Sequence, residues 1–102
     1  MALSLQVIYP ATDDTRFDMA YYLATHMPLV AEHMGPHIDG TLVTRGLAGG
    51  SDTPPPFHAV ATMTFADKRA LDAALDAAAP VIADIANFTD SQPHILVGEV
   101  VG

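Results

Sequence analysis

FHAVATMTFADKRALDAALDAA, residues 57–78, changes its hydrophobic period in mid-stretch. Ala59, Ala61, Met63 and Phe65 alternate with His58, Val60, Thr62 and Thr64, the period of two that marks a strand. Asp67 then offers its side chain as the N-cap of an Ala-rich helix. That helix has an inner stripe of Ala70, Leu71, Ala74, Leu75 and Ala78. Outward from this strand–helix pair the same two periods recur. Residues 3–9 alternate Leu3, Leu5, Val7 and Tyr9 against Ser4, Gln6 and Ile8, a strand that Pro10 ends. Met19, Leu23, Met27, Val30 and Met34 then fall at helical spacings between Phe17 and Met34. Pro28 removes a donor and clashes with the Ala24 carbonyl, so a kink or break is expected near Thr25–Met27, with a second short helix from Pro28.

Residues 41–46 predict a second strand, and the three glycines and three prolines of Gly46–Pro56 predict an exposed loop. Pro80 ends the Ala-rich helix and opens a short helix over Val81–Ala86. Pro93 leads into a last strand, His94–Val101. The order β-α-β-β-α-β predicts a single domain over residues 1–102. Its expected class is α+β: a ferredoxin-like split sandwich with a four-stranded antiparallel sheet and both helical layers on one face. Apolar residues on both registers of the last strand (Ile95, Val97 and Val101 against Leu96 and Val100), and Ile8 opposite Tyr9 in the first, leave the sheet's second face in need of cover. A homodimer with a barrel-like interior is the expected solution.

The 102 residues carry 12 acidic and 4 basic side chains, for a net charge of −8. That leaves too few cations for a phosphate-binding patch, so neither nucleic acid nor an anionic membrane is an expected partner. Zero cysteines exclude disulfides, thiol nucleophiles and thiolate metal sites. No signal peptide or bilayer-spanning stretch is read, and a cytoplasmic location is expected. No two histidines are spaced as metal ligands on one continuous helix or strand, and no glycine fingerprint joins a strand to a helix. Neither a metal nor a nucleotide cofactor is expected.

Val7-Ile8-Tyr9-Pro10, Phe17-Asp18, Tyr21-Tyr22, His26-Met27-Pro28-Leu29-Val30 and Gly46-Leu47-Ala48-Gly49-Gly50 stand in this order along the chain. With Pro55-Pro56-Phe57-His58, Met63-Thr64-Phe65 and Ala83 to Thr89, they cover nearly the whole chain. In this order they resemble the EthD family, named for a protein associated with ethyl tert-butyl ether degradation. The Tyr pair followed by His-x-Pro-Leu-Val is the most specific element. The resemblance implies a dimeric α/β barrel of ferredoxin-like protomers, related to small monooxygenase, isomerase and polyketide-cyclase folds. It does not imply one reaction: the family includes accessory proteins of oxidative degradation as well as cofactor-free dehydratases and cyclases.

His26 is the first candidate for chemistry. Tyr22 lies four residues before it and Asp18 four before that, so the three share one helical stripe on which a proton can be relayed. The alternative is a structural histidine bonded to a carbonyl that Pro28 leaves free. Of the adjacent tyrosines, Tyr22 is assigned to the pocket, with a core position as the alternative; Tyr21 is retained as a substrate contact. Arg45, near the end of the second strand, would orient an anionic or carbonyl-bearing substrate, or else pair with Asp39 or Glu99. His58 shares a strand face with Thr62 and Thr64 and is a substrate-contact candidate on the sheet's open face, with a solvent-facing strand histidine as the alternative. Asn87 and Phe88 form an expected pocket wall, with a helix C-cap as the other use of Asn87. The methionines read as core filler.

The functional expectation is a small-molecule protein of catabolic or secondary metabolism with an apolar or aromatic ligand in a barrel cavity. His26 is its acid/base and Tyr22 its helper, in cofactor-free oxidoreductase, dehydratase, isomerase or cyclase chemistry. The alternative is a non-catalytic accessory or carrier protein for an oxidative degradation pathway.

Overall fold

β1 (Leu3–Pro10) lies at the centre of the sheet, between β3 (Phe57–Phe65) and β4 (His94–Glu99). Leu5 faces Met63 across one ladder and Val97 across the other. β2 (Gly40–Arg45) joins the free side of β3, so the order is β2-β3-β1-β4 with every pair antiparallel. This is a computed structural model describing residues 1–102. The first crossover consists of α1 (Met19–Tyr21), a π-helical turn (Tyr22–His26), α2 (Met27–His33) and a 3₁₀ turn (Gly35–His37). The second consists of α3 (Lys68–Asp76), α4 (Ala79–Asp84) and a 3₁₀ turn (Ile85–Asn87). The topology is the ferredoxin-like βαββαβ of the α+β class.

Local chemistry accounts for the element ends. Asp67 accepts a hydrogen bond from the Ala70 amide at 2.9 Å and starts α3. Asp18 does the same for α1 through the Tyr21 amide at 3.0 Å. Asp18 is therefore the N-cap of its helix and not a member of a proton relay with Tyr22 and His26. Between β2 and β3 the chain turns back so closely that a Cβ on Gly46 would run into the Phe57 carbonyl. The last strand stops at Glu99, two residues before the expected end.

The irregularity expected before Pro28 takes the form of a π-helical turn over Tyr22–His26, after which α2 starts at Met27 with Pro28 in its first turn. The turn before it widens, and the Met27 amide donates to the Tyr22 carbonyl five residues back. This extra residue in the turn rotates the stripe. Tyr22 and His26 face inward and Leu23, expected in the core, is exposed.

Two clusters fill the space between sheet and helices. Leu5, Ala61, Met63 and Phe65 of the sheet pack against Val30, Met34, Leu71, Ala74, Ala78 and Val81. At one end Tyr9, Tyr22, Ala59 and Phe88 form a second cluster with Phe17 against it. The opposite sheet face carries Ile8, Val60, Leu42 and Leu96, and the last two are exposed. No helix is long and apolar enough to cross a membrane.

Candidate active site

The loop after β1 and the loop before β4 are bound to each other, which brings the two crossovers together. Thr89 Oγ1 donates to the Arg16 carbonyl at 2.6 Å, Ser91 Oγ to the Pro10 carbonyl at 2.6 Å, and the Asp18 amide to the Phe88 carbonyl at 2.7 Å. A Phe17–Thr89 bridge completes the join. In consequence the π-helical turn of the first crossover lies against the end of α4 in the second.

Asp84 is the meeting point. Its Oδ2 is 2.9 Å from His26 Nδ1, and its Oδ1 accepts from the Tyr21 hydroxyl at 2.6 Å and from Asn87 Nδ2 at 2.9 Å. Burial alone would raise the Asp84 pKa, but the donors Tyr21, Asn87 and His26 outweigh it and hold the carboxyl below its ordinary value. Burial pushes the His26 pKa below its ordinary value against the opposing pull of Asp84, so the imidazole is neutral at pH 7. A carboxylate only accepts, so Nδ1 carries the proton and Nε2 the lone pair.

His26 is only 3% exposed and has no protein partner beyond Asp84. Its ring is stacked on Tyr22 at 5.4 Å and packed against Phe88 at 4.5 Å. It lines a cavity of about 170 Å³ between the sheet and the helices, whose wall is apolar apart from His26, Tyr9 and Tyr22. No buried side-chain nitrogen or oxygen is both sealed in and unpartnered, so Nε2 is not sealed off, and the cavity that His26 lines is the space beside it. Burial raises the Tyr22 pKa to about 12, and its hydroxyl stays protonated at any ordinary pH. The arrangement is a lone pair fixed in tautomer and direction, with a phenol donor beside it, in a low-dielectric pocket.

The other expected residues divide around this site. Tyr21 and Asn87 bind the Asp84 carboxylate and do not line the cavity; the Tyr21 hydrogen bond to Asp84, with burial, raises its own pKa. Phe88 is fully buried behind the imidazole and forms no part of the cavity wall. Arg45 lies elsewhere, in a surface groove with Gly46, Pro55, Phe57 and His58, and pairs with neither Asp39 nor Glu99. His58 is drawn off the open face by Phe17, on which it stacks at 5.5 Å, and by Thr15 Oγ1 at 2.9 Å from its Nε2. Sequence reasoning missed Asp84 and Tyr9. The Asp84 to Asn87 spacing on one short helical turn was the available signal for the first. Tyr9, on the inward register of β1, reads from its spacing as core alone. No cluster of three or more His, Cys, Asp or Glu is placed to hold a metal ion.

Comparison with known proteins gives a consistent picture. The family model for the EthD domain matches residues 10–92. The fold matches an EthD-like protein from Ralstonia eutropha JMP134 with a TM-score of 0.89 and 37% identity over 99% of this chain and 93% of that one. An ethyl tert-butyl ether degradation (EthD) family protein from Bacillus halodurans C-125 follows at a TM-score of 0.78 and 24% identity, covering 99% and 100% of the two chains. SnoaB from Streptomyces nogalater, a cofactor-independent oxygenase, shares the fold at a TM-score of 0.66 and 12% identity, covering 99% and 93%. A search of curated protein sequences finds no match.

Proposed function

Because the chain belongs to the EthD family, we propose that it converts an apolar or aromatic organic compound without a cofactor, using His26 as general base. One observation carries this reading. The single imidazole at the apolar cavity has its Nδ1 tied to Asp84, which leaves Nε2 as a fixed acceptor. Nε2 takes a proton from a substrate O–H or an activated C–H, Asp84 stabilises the imidazolium that results, and the protonated Tyr22 hydroxyl donates to the developing oxyanion. The anion then loses water, isomerises, closes a ring or reacts with dioxygen. The last of these is in keeping with SnoaB, a cofactor-independent oxygenase of the same fold.

The working form in this reading is a homodimer in the cytoplasm. The exposed Leu42 and Leu96 on the uncovered sheet face support pairing with a second copy. Light scattering on the purified chain should give twice the 10.7 kDa protomer mass, and a protomer mass would overturn the dimer.

Activity is tested by incubating the protein with phenols, hydroquinones and 1,3-diketones under air, following oxygen uptake and product mass. His26→Ala should lower turnover by roughly 10²–10⁴-fold with the fold intact by circular dichroism. Unchanged turnover would remove His26 from the chemistry. Thermal stabilisation by ligand without product would favour the carrier role in an oxidative pathway.

A further inference from the structure

Tyr9 and Tyr22 are 2% and 0% exposed, and neither hydroxyl has a hydrogen-bond partner within the protein. A phenol without a protein partner is free to bond a ligand, so the chemistry of these two side chains bears on what enters the cavity. Both side chains are among those that line the cavity. The rings meet edge to face at 5.9 Å, and burial, with a smaller effect of Tyr22, raises the Tyr9 pKa, so both phenols stay neutral. Two neutral phenols therefore line the same cavity as the imidazole.

The rest of the wall limits what they can receive. None of the four Lys and Arg side chains lines the cavity, and the chain carries a net −8, so a carboxylate or phosphate would enter without a counter-charge. The volume, about 170 Å³, is close to the roughly 150 Å³ that holds a benzene ring. Leu75, Ile82 and Ile95 line the cavity and are also exposed, so they form an apolar rim that accommodates an alkyl group opposite the ring's oxygen.

We propose that the ligand is a neutral single-ring compound with one hydroxyl or carbonyl oxygen, which Tyr9 and Tyr22 receive jointly while His26 Nε2 faces its proton. This rests on the reading of the cavity as a substrate site and adds Tyr9 as a specificity residue. The test is equilibrium binding, by calorimetry and thermal shift at pH 7, with para-cresol, toluene, para-toluate and phenanthrol as probes.

Para-cresol should bind and raise the melting temperature, and para-toluate and the three-ring phenanthrol should not. Tyr9→Phe and Tyr22→Phe should each weaken para-cresol by up to about tenfold while changing toluene affinity by less than about twofold, since only the oxygen contact is lost. Absence of para-cresol binding, equal binding of para-toluate, phenanthrol binding, or equal losses for para-cresol and toluene would overturn it. Catalytic failure reads separately. If His26→Ala leaves turnover unchanged while these affinities hold, the base is wrong and the ligand class stands.

Discussion

Asp84 holds His26 with one carboxylate oxygen and shares the other between Tyr21 and Asn87, at 2.9, 2.6 and 2.9 Å respectively. The three donors draw on one charge. The basicity of Nε2 is therefore set by a residue that does not touch the cavity and by two more that do not touch the imidazole.

Asp84→Asn removes the charge and keeps the shape. The His26 pKa, already depressed by burial, should fall further because the only opposing influence is gone. Turnover should drop by at least about tenfold, up to the roughly 10²–10⁴-fold that a general base supplies. Nitrogen-edited NMR of the imidazole checks the pKa and tautomer directly; an unchanged titration would show that Asp84 does not set them.

Two windows of pH sensitivity follow from the signs of the shifts. His26 has a folded pKa below its unfolded value, so the unfolded chain binds the extra proton first. Its contribution to stability is complete above about pH 6.5 and is lost as pH falls through the folded value. Tyr22 has the opposite sign. Its contribution is complete below about pH 10 and is lost as pH rises through about 12. Melting temperature measured across pH should decline on both sides, and Tyr22→Phe should reduce the alkaline decline.

Phe88→Ala opens space behind the imidazole, where the ring now packs on His26, Tyr22 and Tyr9. A buried phenylalanine cut to alanine costs about 3–5 kcal/mol. Urea unfolding should show that loss, with His26 gaining rotational freedom. A loss under about 1 kcal/mol would mean that the aromatic cluster closes over the gap.

Asp18→Ala tests the cap that starts the first crossover, through its hydrogen bond to the Tyr21 amide. The expected cost is about 1 kcal/mol. Asp18→Asn should restore most of it, since the amide oxygen accepts the same hydrogen bond. Failure of that rescue would point to the charge, and not the cap, as its contribution.

The strands, the helices and their order were legible because each segment keeps one hydrophobic period and is bounded by Pro, Gly or an acidic cap. The His26–Tyr22 pairing was legible for the same reason. Leu23 was misplaced because a π-helical turn leaves the spacing of apolar residues almost unchanged while rotating the helix face. For Asp84 the local signal was only its spacing to Asn87, which does not disclose its partner, a histidine 58 residues earlier in the chain. Arg45 and His58 were attractive as residue types, but the β2–β3 loop and Phe17 hold them at a different concavity.

That 58-residue separation also bears on how the protein comes into being. His26 belongs to the first βαβ half and Asp84 to the second, and neither half contains a substitute for the other. A nascent chain that lacks the second half carries an imidazole whose tautomer is not fixed by Asp84. The contact that fixes the imidazole tautomer therefore exists only once both halves have joined in one sheet.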